Sequence, residues 1–274
     1  MLKRLAVIGA LLSLPAFATA EVVEEQVTYD LPDGTQANGW LVHDDDMDGD
    51  RPGVLVIPEW WGLTDYPKMR ARELAEMGYV AFVADMYGEG QTTEDPQQAG
   101  EWSGKAQQTG LAELAEPALK QLKQADGVDT GNLAAIGFCF GGSTVVDMAQ
   151  SDYAGDLKAV VSFHGGLNAD AAPAEGETYE GPAMLILHGG DDPFVPNDSF
   201  AQFVGRCISA QAPITVVSFP GAKHAFSNPD ATETAEKTGM DGIGYDEAAA
   251  EQSIEIMEEF FEMTIGDGDE EDGD

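Results

Sequence analysis

Basic residues are scarce in this 274-residue chain, where 13 Lys and Arg stand against 50 Asp and Glu for a formal net charge of −37. A field of that sign repels polyanions and anionic membrane surfaces, so binding to nucleic acid or to such a membrane is excluded. Cysteine is almost absent as well. Cys139 and Cys207 are the two, and Cys207, inside a predicted helix, reads as a core residue rather than half of a disulfide. No linker rich in Pro, Gly or Ser divides the chain and no segment repeats, so one large domain is expected. What the chain does not lack is core material. Hydrophobic residues make up 43% and aromatics 8%, which separates it from acidic disordered chains.

The N-terminus has the form of a secretory signal. Met1-Leu2-Lys3-Arg4 is basic, residues 5–14 are apolar but too few to span a bilayer, and Ala18-Thr19-Ala20 offers a small-residue cleavage site ahead of Glu21. Residues 1–20 are therefore expected to be a signal peptide and the mature protein to be exported, to the periplasm or beyond, with no later membrane span. Removing Lys3 and Arg4 makes the mature chain still more acidic. Self-repulsion of that size is tolerable where salt is concentrated, since the Debye length falls to about 3 Å at 1 M. A salt-adapted protein is expected, with residues 266–274 as a solvated, disordered acidic tail and residues 21–265 as the folded domain, a monomer.

Within that domain, strands and helices alternate. An opening hairpin is predicted from residues 22–29 and 37–42 around Pro32-Asp33-Gly34. Strands follow at 54–57, 79–84, 133–136, 159–163, 184–187 and 214–219, and helices at 66–77, 96–108, 111–124, 142–150, 198–209 and 247–263. Repeated βα units imply an α/β fold, with a mainly parallel twisted sheet covered by helices on both faces. In such sheets sites form at the carboxyl ends of the strands.

One of those ends carries a nucleophile elbow. The strand at 133–136 runs into Gly137-Phe138-Cys139-Phe140-Gly141-Gly142 and then a helix, a tight turn in which the flanking glycines admit neighbouring backbone. Cys139 stands where serine is more common, and a helix N-terminus favours its thiolate. An acid and then a histidine should follow in the chain. Asp191 and Asp192 follow the strand at 184–187, and His224 follows the strand at 214–219. His224 is the base expected. His43 lies early in an acidic loop, while His164 and His188 end strands and can serve structural roles.

With Glu59-Trp60-Trp61-Gly62 and Ala84-Asp85-Met86-Tyr87-Gly88, these motifs resemble the dienelactone hydrolase family of the α/β-hydrolase superfamily, in which the elbow carries cysteine. The resemblance implies Cys139 as nucleophile, His224 as base and Asp192, aligned on the following Phe194-Val195-Pro196, as the orienting acid. It implies a glutamate at Glu59 that interacts with the resting thiol. It also implies an oxyanion hole from the amides of Phe140 and Trp60, and Trp61, Tyr87 and Phe226 at the substrate pocket. Acyl transfer to sulfur needs no metal or organic cofactor, and the expected partner is a small ester or lactone.

Two departures narrow the substrate. Family members acting on the namesake lactone hold its carboxylate with two arginines, and here Gly88-Glu89 and Asn228 occupy those positions. Neither supplies a guanidinium fork, so a neutral or larger ester or lactone is expected. Transfer to an acceptor other than water, or capture of a hydrophobic ligand without chemistry, are the alternative functions on the same fold. The acidic stretch Asp44, Asp46, Asp48, Gly49, Asp50 imitates half a calcium loop, but its twelfth position is Leu55 in a predicted strand, so no metal is expected.

Overall fold

The computed structural model describes residues 21–46 and 49–266. Residues 1–20, expected above to be a signal peptide, and residues 267–274 of the expected acidic tail lie outside them. Strands β1 (Val22–Asp30) and β2 (Gln36–Asp44) form the antiparallel hairpin, joined through Pro32, Asp33 and Gly34, with Tyr29 opposite Ala37. The remaining strands are β3 (Arg51–Ile57), β4 (Val80–Val83), β5 (Val128–Phe138), β6 (Leu157–Phe163), β7 (Ala183–Gly189) and β8 (Ile214–Phe219). They form one sheet in the order β1-β2-β4-β3-β5-β6-β7-β8, parallel from β4 onward.

Side-chain alternation divides the core between the two faces. On β3, Leu55 and Ile57 join one cluster while Val54 and Val56 join the other. Helices α2 (Pro96–Thr109), α3 (Leu111–Gln124), α4 (Phe140–Ala149) and α5 (Asn197–Ser209) cover the first face. Helices α1 (Asp65–Glu76) and α7 (Glu247–Thr264) cover the second, where Met257, Phe260 and Phe261 form the buried stripe of α7. Burial of both faces explains why the central strands read as unbroken apolar runs. Among the described residues no helix is long and apolar enough to cross a membrane.

Two elements depart from expectation. Strand β5 begins five residues earlier than its apolar run, because Arg51 and Pro52 of β3 pair with Val128 and Asp129 before the register shifts at Gly53. The polar 129–132 segment is thus drawn into the sheet by its neighbour. Helix α6 (Ala231–Thr238) has no counterpart among the predicted helices. Only its Ala231 is buried, so it carries no apolar stripe, and its signature is a stop: Gly239 in the left-handed region at φ 73°.

Candidate active site

The elbow is held by backbone contact. Cys139 adopts φ 54° and ψ −112°, outside the comfortable regions for a side-chain-bearing residue, at a cost of about 1–3 kcal/mol. The turn closes because its neighbours have no Cβ. A Cβ on Gly137 would lie 2.0 Å from the carbonyl oxygen of Gly141, and one on Gly141 would lie 2.3 Å from that of Ile57. Phe140 is the first residue of α4, so its N–H has no carbonyl to meet within the helix.

Across a cavity of about 240 Å³, Cys139 shares walls with His224. His224 lies in the loop after β8, and its Nδ1 is 2.7 Å from Asp192 Oδ2. The other carboxylate oxygen, Oδ1, accepts the N–H of Phe194 at 2.8 Å. Both residues are buried, whereas Asp191 is exposed. With Nδ1 donating to the carboxylate, Nε2 of His224 is left for the thiol side. Burial opposes an imidazolium here, but the charge of Cys139 and the hydrogen bonds with Asp192 and Cys139 outweigh it and hold His224 at about 10.

The Glu59 side chain is buried at the cavity wall and accepts a hydrogen bond from Asn228 Nδ2 at 2.7 Å. Burial pushes its carboxyl up to about 7, with the Asn228 hydrogen bond and the charge of His224 acting in the opposite direction. Its hydrogen-bond partner is thus Asn228, four residues past His224, rather than the thiol. Trp60 and Trp61 line the cavity edge to face, with ring centroids 4.9 Å apart.

Two of the expected pocket residues stand elsewhere. Phe226 is fully buried under the site, against His164 and Phe219. The residue before it, Ala225, takes φ 58°, which turns the chain so that Ala225 faces the cavity and the ring faces the core. Tyr87 lies behind the wall, its ring near Trp102 and Phe140 and its hydroxyl donating to the carbonyl of Trp60 at 3.1 Å. Asp85 stations that loop by accepting from the N–H groups of Asn38, Tyr87, Gly88 and Gly90.

Other walls were invisible to motif reasoning. Phe194, half exposed and edge-on to His224 at 5.2 Å, closes one side, and Met240 and Ile243 from beyond α6 close another. The 240–244 segment also grips the base. His224 N–H donates to Gly242 O at 3.2 Å and Gly244 N–H to His224 O at 3.0 Å. His188 stacks on Phe200 at 4.0 Å, and His43 lies 3.1 Å from the neighbouring carbonyl of Asp44. Cys207 is buried and unpaired, and burial raises its thiol to about 11. No group of side chains suited to a metal ion occurs among the described residues, and Leu55 is fully buried in β3. A larger surface cavity, about 820 Å³, opens at the far ends of β6 and β7 between residues 149–158 and 173–183, away from both cysteines and all histidines.

Comparison with known proteins gives one consistent picture. The model of the family described as "Dienelactone hydrolase family" matches residues 38–265. A Salmonella typhimurium protein bearing the name "Putative carboxymethylenebutenolidase" is 28% identical over 225 residues, 78% of each chain. A solved dienelactone hydrolase-like promiscuous phosphotriesterase from metagenomic libraries is 31% identical, with a TM-score of 0.79 over 90% of this chain and all of its own. The solved structure named m3DLH, also 31% identical, superposes with a TM-score of 0.80 over 89% of this chain and 99% of its own.

Proposed function

Because the chain belongs to the dienelactone hydrolase family and is thereby a hydrolase of carboxylic esters or lactones, we propose that it works through a Cys139-His224-Asp192 triad. The observation that carries this reading is the 2.7 Å hydrogen bond that Asp192 accepts from a buried histidine whose other face shares one small cavity with the elbow cysteine. In the first half-reaction the thiolate attacks the carbonyl carbon, and the N–H groups of Phe140 and Trp60 receive the oxyanion. The C–O bond then breaks and the departing alkoxide takes a proton from the His224 imidazolium. Water next attacks the thioester as His224 Nε2 removes its proton, and the C–S bond breaks to return the thiolate.

The substrate is an uncharged ester or lactone. Trp60, Trp61, Phe140, Phe194, Met240 and Ile243 make the cavity largely apolar, and no Lys or Arg lines it. The carboxyl in that wall, Glu59, would repel a carboxylate whenever it ionises. The test is turnover of aryl esters and neutral lactones in molar salt. Cys139→Ala should abolish it, and undiminished hydrolysis by that variant would overturn the triad.

Export and salt adaptation complete the proposal. Cleavage after Ala20 would free the amine of Glu21, whose nitrogen already lies 3.0 Å from Asp45 Oδ1 at the start of β1. N-terminal sequencing of the protein recovered outside the cytoplasm should begin at Glu21. An intact Met1 there would argue against a cleaved signal.

A further inference from the structure

His164 ends β6 with φ 41°, a second strained residue directly behind the first. It is fully buried, 5.2 Å edge-on to His224. Its Nδ1 lies 3.1 Å from the backbone nitrogen of Cys139, which also donates to the carbonyl of Phe163. Its Nε2 lies 2.8 Å from Ser227 Oγ, which in turn lies 2.7 Å from the hydroxyl of Tyr66. Arg70 ends the chain, donating from Nη2 to the Ser227 carbonyl at 2.7 Å and from Nη1 to Glu73.

Hydrogen accounting leaves one arrangement. The Cys139 N–H can only donate, so Nδ1 must be bare and the ring proton must sit on Nε2. That proton occupies a lone pair of Ser227 Oγ, and the Ser227 hydroxyl proton points to Tyr66. A protonated or Nδ1–H ring would set two hydrogens against each other at the nucleophile. The surroundings oppose protonation: burial first, then the positive charges of His224 and Arg70, hold His164 well below the ordinary histidine value. The groups facing the ring are Tyr66 and Arg70 from α1, Phe138 and Cys139 from the elbow, and His224, Phe226 and Ser227 from the loop after β8.

We propose that His164 is a positioning residue: held as its Nε2–H tautomer by the Cys139 N–H, with Ser227 accepting the ring proton, it pins the strained backbone of Cys139 and so sets the thiol in place beside His224. This rests on the Cys139 triad above, but it is read in the resting protein without substrate. Ring-nitrogen NMR of histidine-labelled protein at pH 7 should show His164 with Nε2 protonated and Nδ1 bare. Ser227→Ala takes the acceptor from the Nε2 proton while the Cys139 N–H still requires a bare Nδ1, so the tautomer should stay and the loosened ring should slow iodoacetamide alkylation of Cys139 roughly tenfold, about what one hydrogen bond is worth. An Nδ1–H or doubly protonated ring in the unsubstituted protein overturns the assignment. So does a Ser227→Ala protein whose ring moves to Nδ1–H, or one whose alkylation rate is unchanged. A protein with the expected tautomer and response that hydrolyses no ester would support the assignment and count against the hydrolase reading alone.

Discussion

Asn228 donates from Nδ2 to Glu59 Oε2 across 2.7 Å, joining two buried side chains 169 residues apart in the chain. The amide supplies a hydrogen bond and no charge, so it offsets only part of the desolvation that Glu59 suffers at the cavity wall. A carboxyl kept near neutrality in this way is a stability feature as well as a chemical one.

In the unfolded chain Glu59 gives up its proton around its ordinary 4.5, whereas in the folded protein it keeps it to about 7. Stability is therefore lost as pH rises through that window and stays lost above it. Glu59→Gln should match the unsubstituted protein at pH 4 and exceed it at pH 8, by about 3 kcal/mol from the size of the shift. Denaturant titrations at the two pH values check this, and an equal difference at both would contradict it.

Two adjacent aspartates separate cleanly by role. Asp192→Asn removes the acceptor that orients His224, and kcat should fall by roughly 10²–10⁴-fold with little change in KM. Asp191→Asn alters an exposed side chain and should leave both constants within about twofold, since surface changes away from special features are nearly neutral. Steady-state kinetics on one aryl ester is sufficient.

Glycines in two settings should respond with opposite signs. Gly141→Ala would drive a Cβ to within 2.3 Å of backbone at Ile57, which no side-chain rotation relieves, and should cost roughly 3 kcal/mol. Gly104, inside α2 with open space around it, should tolerate alanine and gain about 0.5–1 kcal/mol from helix propensity. Chemical denaturation midpoints measure both.

Salt should raise the melting temperature, most steeply below about 1 M, where the Debye length shortens to about 3 Å. The −37 charge leaves few exposed pairs such as Lys237 with Glu233 for salt to weaken, so relief of repulsion dominates. A melting temperature that falls from 0.1 M to 2 M NaCl would contradict this.

How far the sequence could be read follows from the range of each signal. The places of Cys139, Asp192 and His224 at strand ends were legible because glycine turns and strand order are local patterns. Phe226 and Tyr87 misled because proximity to a motif does not reveal side-chain direction; a positive φ at Ala225 turns one ring inward, and the other stands behind Trp60. Helix α6 escaped because its polar sequence has no buried stripe. The roles of Ser227 and Asn228 depend on partners 63 and 169 residues away, a distance at which no spacing rule operates.

The two backbone hydrogen bonds that tie His224 to the 242–244 segment place the proton-transferring residue and one wall of the substrate cavity on a single stitched piece of chain. Reshaping that wall at Met240 or Ile243 to admit a bulkier group therefore drags on the base itself, so selectivity and turnover are mechanically geared on this side of the pocket. On the opposite side Ser103 and Gln107 project from α2, an element with no hydrogen bond to the base, and that wall can be remodelled without the same penalty.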